Sequence, residues 1–278
     1  MYLRHFGLRE HPFSLTPDTA FYYAYPGHQE AINVLSIALL SDQGFVKVTG
    51  EVGTGKTLLC RKLLNSLDQN AVTAWLPNPQ LDAMALRRAV ADELGLDPSG
   101  LDDHRLLKQL GERLVEYHAQ GRRVILVIDE AQNLTEDALE ALRLLTNLET
   151  EKSKLLQVVL FGQPELDTIL ARPSIRQLRQ RITFSHRLTP LDPDSVADYV
   201  MHRLRMAGYN GPALLGGRAA RLLARGSRGV PRLVNILAHK ALMSAYGKGE
   251  RMLRPIHVRR AIEDTEDATR PRWGGWFG

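Results

Sequence analysis

Short apolar runs alternate with longer stretches along this chain of 278 residues, and that alternation is its first structural signal. The runs fall at residues 45–49, 72–76, 124–128, 155–161 and 182–188, and each has the length and β-branched content of a strand. Between them apolar residues recur at helical spacing, which predicts a parallel sheet with helices on both faces. The run Val124-Ile125-Leu126-Val127-Ile128 is apolar at every position, as a central strand covered on both sides requires. Chemistry is expected just past its end, because ligands of such sheets bind beyond the carboxyl ends of the strands.

After Pro190-Leu191-Asp192-Pro193 the strand signal stops. Helices are predicted near 194–207, 216–226, 231–247 and 255–267, broken by Gly and Pro, which makes this part a second, all-helical domain. The expected organisation is an α/β domain over 1–189, a helical domain over 190–268, and an aromatic and basic tail over 269–278 that carries two of the three tryptophans. The longest uncharged run near the N-terminus, residues 31–41, is too short to cross a bilayer, so a cytoplasmic protein is expected. The single cysteine, Cys60, is expected to be a small core residue.

Charge is distributed unevenly. Residues 1–169 hold 16 Lys/Arg against 23 Asp/Glu, and residues 170–278 hold 20 against 8. A basic half suits nucleic acid, an anionic membrane surface or the acidic face of a neighbouring subunit, and charge alone does not choose among them.

The chemistry is announced by Gly50-Glu51-Val52-Gly53-Thr54-Gly55-Lys56-Thr57, which satisfies the phosphate-loop pattern in full directly after the first apolar run. Its glycines let backbone N–H groups approach phosphate oxygens, and the helix beginning near Lys56 and continuing through Leu58 adds its positive end. Lys56 would reach the β- and γ-phosphates and Thr57 would ligate Mg²⁺. Asp129-Glu130 follows the buried strand at once. Asp129 fits a Mg²⁺ partner through water, and Glu130 fits the base that polarises the attacking water, a choice that favours hydrolysis. The alternative is a pair of carboxylates capping the next helix, from Thr135 onward. Gln163, past the fourth run, either holds the attacking water and senses the γ-phosphate or is a solvated turn residue before Pro164. Arg176, Arg179 and Arg181 precede the fifth run. One of them would serve as an arginine finger in a neighbouring subunit, or all three form a solvated or DNA-facing surface. Arg232, in Gly229-Val230-Pro231-Arg232, opens a long helix from which it would reach back to the phosphates.

Together these motifs resemble the AAA+ ATPases, and within them the secretion ATPases of the general secretion pathway protein A (ExeA) type, including the short MSHA pilus biogenesis members. The resemblance extends to the opening Tyr2-Leu3-Arg4-His5-Phe6-Gly7-Leu8, to Pro12-Phe13-Ser14-Leu15-Thr16-Pro17-Asp18, to Ala131-Gln132-Asn133-Leu134 and to Leu160-Phe161-Gly162-Gln163-Pro164-Glu165-Leu166. It implies a P-loop AAA+ core with a central five-stranded parallel sheet and a small helical lid. It also implies ATP and Mg²⁺ as cofactors, Gln163 as sensor 1, Arg232 as sensor 2, and Arg181 as first choice for the arginine finger. Residues 24–30 would lie near the adenine. The implied partners are further copies of the chain, in a ring or other oligomer, and inner-membrane pilus or secretion machinery. The Trp-Gly-Gly-Trp-Phe tail would dock at the membrane surface or have no role. ExeA-type proteins continue into a membrane span and a peptidoglycan-binding domain, so peptidoglycan binding is not expected of this chain. Two readings compete: a DNA-binding ATPase resembling transposition helpers, and a nucleotide-switched scaffold with little turnover.

Overall fold

A computed structural model describes residues 2–41, 43–149 and 153–270. In chain order the elements begin with α1 (Tyr2–Phe6), α2 (Pro26–Leu40), β1 (Phe45–Gly50), α3 (Lys56–Ser66), β2 (Ala71–Pro77), α4 (Ala83–Glu93), α5 (Asp103–Ala119) and β3 (Arg123–Asp129). They continue with α6 (Glu136–Leu145), β4 (Leu156–Gly162), α7 (Glu165–Leu170), α8 (Arg176–Arg181), β5 (Ile182–Leu188), α9 (Ser195–Met206), α10 (Gly217–Ser227), α11 (Pro231–Tyr246) and α12 (Pro255–Glu263).

Contacts divide the chain into a sheet unit, residues 28–52 and 59–188, and a helical unit, residues 2–27, 53–58 and 189–270. The division follows packing and not chain order. The sequence reading places the opening segment and the whole phosphate loop with the sheet, whereas here residues 2–27 and 53–58 group with the helices. The tail over 271–278 lies outside the described residues.

In the sheet unit all five strands are parallel, in the order β2-β3-β4-β1-β5. Alternate residues of each strand face opposite sides, so one β3 segment feeds two cores. Val124, Leu126 and Ile128 pack with Leu86, Leu110 and Leu142 of α4, α5 and α6. Ile125 and Val127 pack with Leu35 of α2 and Leu59 and Leu63 of α3. Both faces are dry, which is why β3 and β4 are buried at nearly every position. The edge strand β5 instead alternates between half-buried and exposed positions, as a strand with one open side does. Helix starts on this unit are set by side-chain caps: Asp82 accepts from Ala85 N at 2.8 Å, Asp102 from Arg105 N at 2.8 Å and Thr135 from Ala138 N at 3.1 Å.

The helical unit has its own core, built on Val200 and Leu204 of α9, Leu223 of α10, Leu237 and Leu242 of α11 and Ile262 of α12. The opening segment completes it. Tyr2, Phe6, Phe13 and Phe21 are all buried there. The Tyr2 hydroxyl bonds to Nδ1 of His11 at 2.9 Å and Nδ1 of His239 at 3.2 Å. Arg203 on α9 donates from Nε to the Pro12 carbonyl at 2.6 Å, and its guanidinium carbon lies 4.9 Å from the Phe21 ring centre. The opening segment is therefore part of a hydrophobic core, which accounts for its aromatic content. Before α11 the chain turns at Gly229, whose φ is +71° and whose absent Cβ would sit 2.0 Å from the Leu191 carbonyl oxygen, so only glycine fits.

Candidate functional site

The carboxyl edge of the sheet unit gathers the polar residues that follow β3 and β4. Asp129 is the last residue of β3 and is 3% exposed. Glu130 has a left-handed backbone, φ 54° and ψ 40°, and its N–H donates to Asp129 Oδ1 at 3.0 Å. A non-glycine residue pays about 1–2 kcal/mol for that conformation, which turns the side chain along the sheet edge toward β4. There the Glu130 Oε2 accepts from Gln163 Nε2 at 3.0 Å and from Gln132 Nε2 at 2.6 Å. Thr135 caps α6, so the Asp-Glu pair does not. Gln163 is no idle turn residue either, since its backbone N–H also donates to Gln132 Oε1 at 2.9 Å. The helix after it, α7, is fixed to β1 by an ion pair between Asp167 and Lys47.

The phosphate loop leaves β1 at Gly50 with Glu51 and Val52 exposed. From Gly53 to Leu58 it groups with the helical unit. Gly53 and Gly55 have φ of +82° and +96°, the left-handed geometry that turns successive N–H groups toward one centre. The Gly53 carbonyl accepts from Arg232 N at 3.1 Å, and the Thr54 carbonyl accepts from the buried Tyr25 hydroxyl at 3.4 Å. Lys56 and Thr57 open α3, with Lys56 5% exposed and Thr57 half-buried. Thus Arg232 does meet the loop, through its backbone and Cβ. A Cβ at Gly53 would lie 2.7 Å from Arg232 Cβ and 3.2 Å from Val230 Cγ1. Gly53→Ala is accordingly expected to strain the loop by about 1–2 kcal/mol and to push Arg232 away. It should lower both the thermal midpoint and the affinity for ATP in a titration.

The three arginines of α8 are equivalent in sequence and different in place. Arg176 and Arg179 are exposed, whereas Arg181 is half-buried and donates to Thr146 Oγ1 at 3.2 Å and the Arg143 carbonyl at 3.4 Å. Cys60 is fully buried on α3, and burial, reinforced by the Asp129 carboxylate, pushes its thiol up to about 12. It stays protonated and structural. Burial likewise raises the Tyr25 hydroxyl well above the ordinary range, so it remains a donor. Among the described residues no helix is long and apolar enough to cross a membrane.

Sequence reasoning missed two residues that organise these groups, Tyr25 and Gln132. Tyr25 lies in the stretch 24–30 expected near the adenine, but no role was read for the residue itself. Gln132 stood inside the quoted Ala-Gln-Asn-Leu continuation, and its placement two residues after Glu130 was the one available hint.

The donor set suits a hydrated hard cation beside phosphates: a carboxylate ending a strand and a hydroxyl opening a helix are oxygen ligands. Taken each by itself, the loop has the backbone geometry of a phosphate cradle, and the end of β3 holds a carboxylate in one orientation.

Comparisons with known proteins bear on the family and the fold. Residues 39–170 match the family described as AAA domain. The chain is 44% identical over 250 residues to the general secretion pathway protein A of Aeromonas hydrophila, a match covering 90% of this chain and 46% of that protein. The chain therefore spans about half the length of this relative. Among solved structures, Cdc6p from Pyrobaculum aerophilum has a TM-score of 0.67 at 22% identity, covering 89% of this chain and 70% of that one. The ORC2 protein of Aeropyrum pernix, solved with ADPNP and ADP, has a TM-score of 0.65 at 16% identity over 90% and 72%. At such identities the two structures speak for the fold.

Proposed function

We infer that the chain is an AAA+ ATPase of the P-loop type, as its similarity to the AAA domain and to general secretion pathway protein A supports, and that it binds ATP with Mg²⁺, hydrolyses it, and passes the resulting motion to secretion or type IV (MSHA) pilus machinery. The observation that carries hydrolysis is the clamped Glu130 carboxylate beyond β3, held by two amide donors. A residue that only caps a helix needs no such fixation. A general base does, because phosphoryl transfer is catalysed by positioning and charge stabilisation. In this reading Gly50, Glu51, Val52, Gly53, Thr54, Gly55 and Leu58 wrap the phosphates, and Lys56 neutralises them. Thr57 and Asp129 would hold Mg²⁺, whose chemistry is to neutralise charge on the phosphate oxygens. Gln163 reports the γ-phosphate to Glu130, and Arg232 couples the helical lid, residues 190–268, to the loop. The intact set of Lys56, Thr57, Asp129 and Glu130 weighs against a scaffold with little turnover.

An arginine from α8 would complete a neighbour's site in an oligomer. The exposure of Arg176 and Arg179 makes them available, while Arg181 would first have to leave Thr146. Working at the inner membrane from the cytoplasmic side would fit the resemblance to secretion ATPases.

One observation favours a second reading, ATP-controlled DNA binding. On α10 and its C-cap, Arg218, Arg221, Arg225 and Arg228 are exposed at spacings of three and four, which puts them on one helix face. Among the described residues no carboxylate pairs with them. A single assay separates the readings: ATP turnover against protein concentration, with and without duplex DNA. Specific activity that climbs with concentration and ignores DNA supports an oligomeric machine. Activity that DNA stimulates, with a steep salt dependence, supports the second reading.

A further inference from the structure

We propose that Gln132 is a positioning residue for ATP hydrolysis: its side-chain amide bridges Glu130 and Gln163 and fixes the carboxylate for attack. This rests on Glu130 being the base.

The bridge uses both ends of one amide. Gln132 Nε2 donates to Glu130 Oε2 at 2.6 Å, and Gln132 Oε1 accepts from the Gln163 backbone N–H at 2.9 Å. Gln163 Nε2 reaches the same Glu130 oxygen at 3.0 Å, so the three residues close a ring of hydrogen bonds spanning the ends of β3 and β4. Flipping the amide of Gln132 would break both of its bonds, so its orientation is determined by its partners. One carboxylate oxygen that receives two N–H donors cannot rotate freely about the side chain, and the left-handed backbone of Glu130 already limits where that side chain can go.

A second, independent feature makes room for the bridge. A Cβ on Gly162 would lie 3.2 Å from Gln132 Oε1 and 2.7 Å from Leu166 Cδ2, although Gly162 does not need a positive φ. Its lack of a side chain serves the close approach of the Gln132 amide and Leu166. The glycine of the Gly-Gln-Pro-Glu-Leu segment and the glutamine after Asp-Glu-Ala thus depend on one another across two strands.

The test uses the full chain with Gln132→Met, which keeps the length of the side chain and removes both hydrogen bonds, and Gln132→Glu, which keeps the shape and sets a carboxylate against Glu130. The expected result for Gln132→Met is a kcat about tenfold to a hundredfold lower, with KM for ATP, ATP affinity and thermal midpoint within twofold or a few degrees of wild type. Gln132→Glu should lose more. In a Glu130→Gln background the Met substitution should add no further loss, because the carboxylate it positions is gone. Wild-type kcat in Gln132→Met, or a loss that repeats in full on top of Glu130→Gln, would overturn the proposal. The failure of the base assignment reads out separately, as near-normal turnover in Glu130→Gln alone.

Discussion

Alanine in place of Lys56 is expected to weaken ATP binding by about a hundredfold while leaving the fold intact, since a charge-assisted contact to phosphate is lost. Helix electrostatics do not favour a lysine at position 56. It begins α3, where the helix dipole presents its positive end, and no acidic residue stands in that first turn. A cation there opposes the dipole, and alanine has the higher helix propensity, so the variant should melt at the wild-type temperature or above it. Yet Lys56 is 5% exposed, a burial that the long side chain of a lysine accepts only with compensation. Anionic phosphate would add to its interactions when nucleotide is bound. Titration with a fluorescent ATP analogue and a thermal melt on the same preparation measure both effects. Unchanged affinity would remove the phosphate-loop assignment.

Glutamine in place of Glu130 should have the opposite profile, with ATP affinity retained and turnover lower by about a hundredfold to ten-thousandfold, the usual contribution of a general base. The substitution is isosteric. The side-chain oxygen of the new glutamine can still accept from Gln132 and Gln163, so the hydrogen-bonded ring at the end of β3 survives without its negative charge. Phosphate release measured beside ATP binding separates the two parameters. Loss of binding together with turnover would mean that Glu130 supports the structure of the loop edge and not the attack of water.

The legible parts of this chain are those whose cause is local. The run 124–128 reads as a buried strand because both faces of β3 are covered, and every position is apolar for that reason. The four helices of the second domain are bounded by glycines and prolines that act within a turn, and their observed ends differ from the expected ones by a few residues. The strand ends at Gly50 and Asp129 are legible because each adjoins its apolar run in sequence. The opening segment was not. Tyr2, Phe13 and Phe21 follow no helical or strand period, and their partners, such as His239 and Arg203, lie about two hundred residues away, so nothing local assigns them to the helical unit. Gln132 escaped for a related reason. Its role depends on how far β3 and β4 run in parallel before each ends, with Ile128 level with Leu160, and only that register brings residue 132 to residue 163. The α8 arginines look alike in sequence, and the end of α6 is what singles out Arg181. The aromatic tail expected to meet a membrane or to have no role lies outside the described residues.

The most direct measurement is phosphate release from ATP by the purified chain with and without Mg²⁺, for wild type, Lys56→Ala and Glu130→Gln side by side. An AAA+ ATPase working through these residues releases phosphate only with Mg²⁺, loses both binding and release in Lys56→Ala, and keeps binding but loses release in Glu130→Gln. Wild-type release in Glu130→Gln, or none from the wild-type chain at any protein concentration while ATP stays bound, would contradict it.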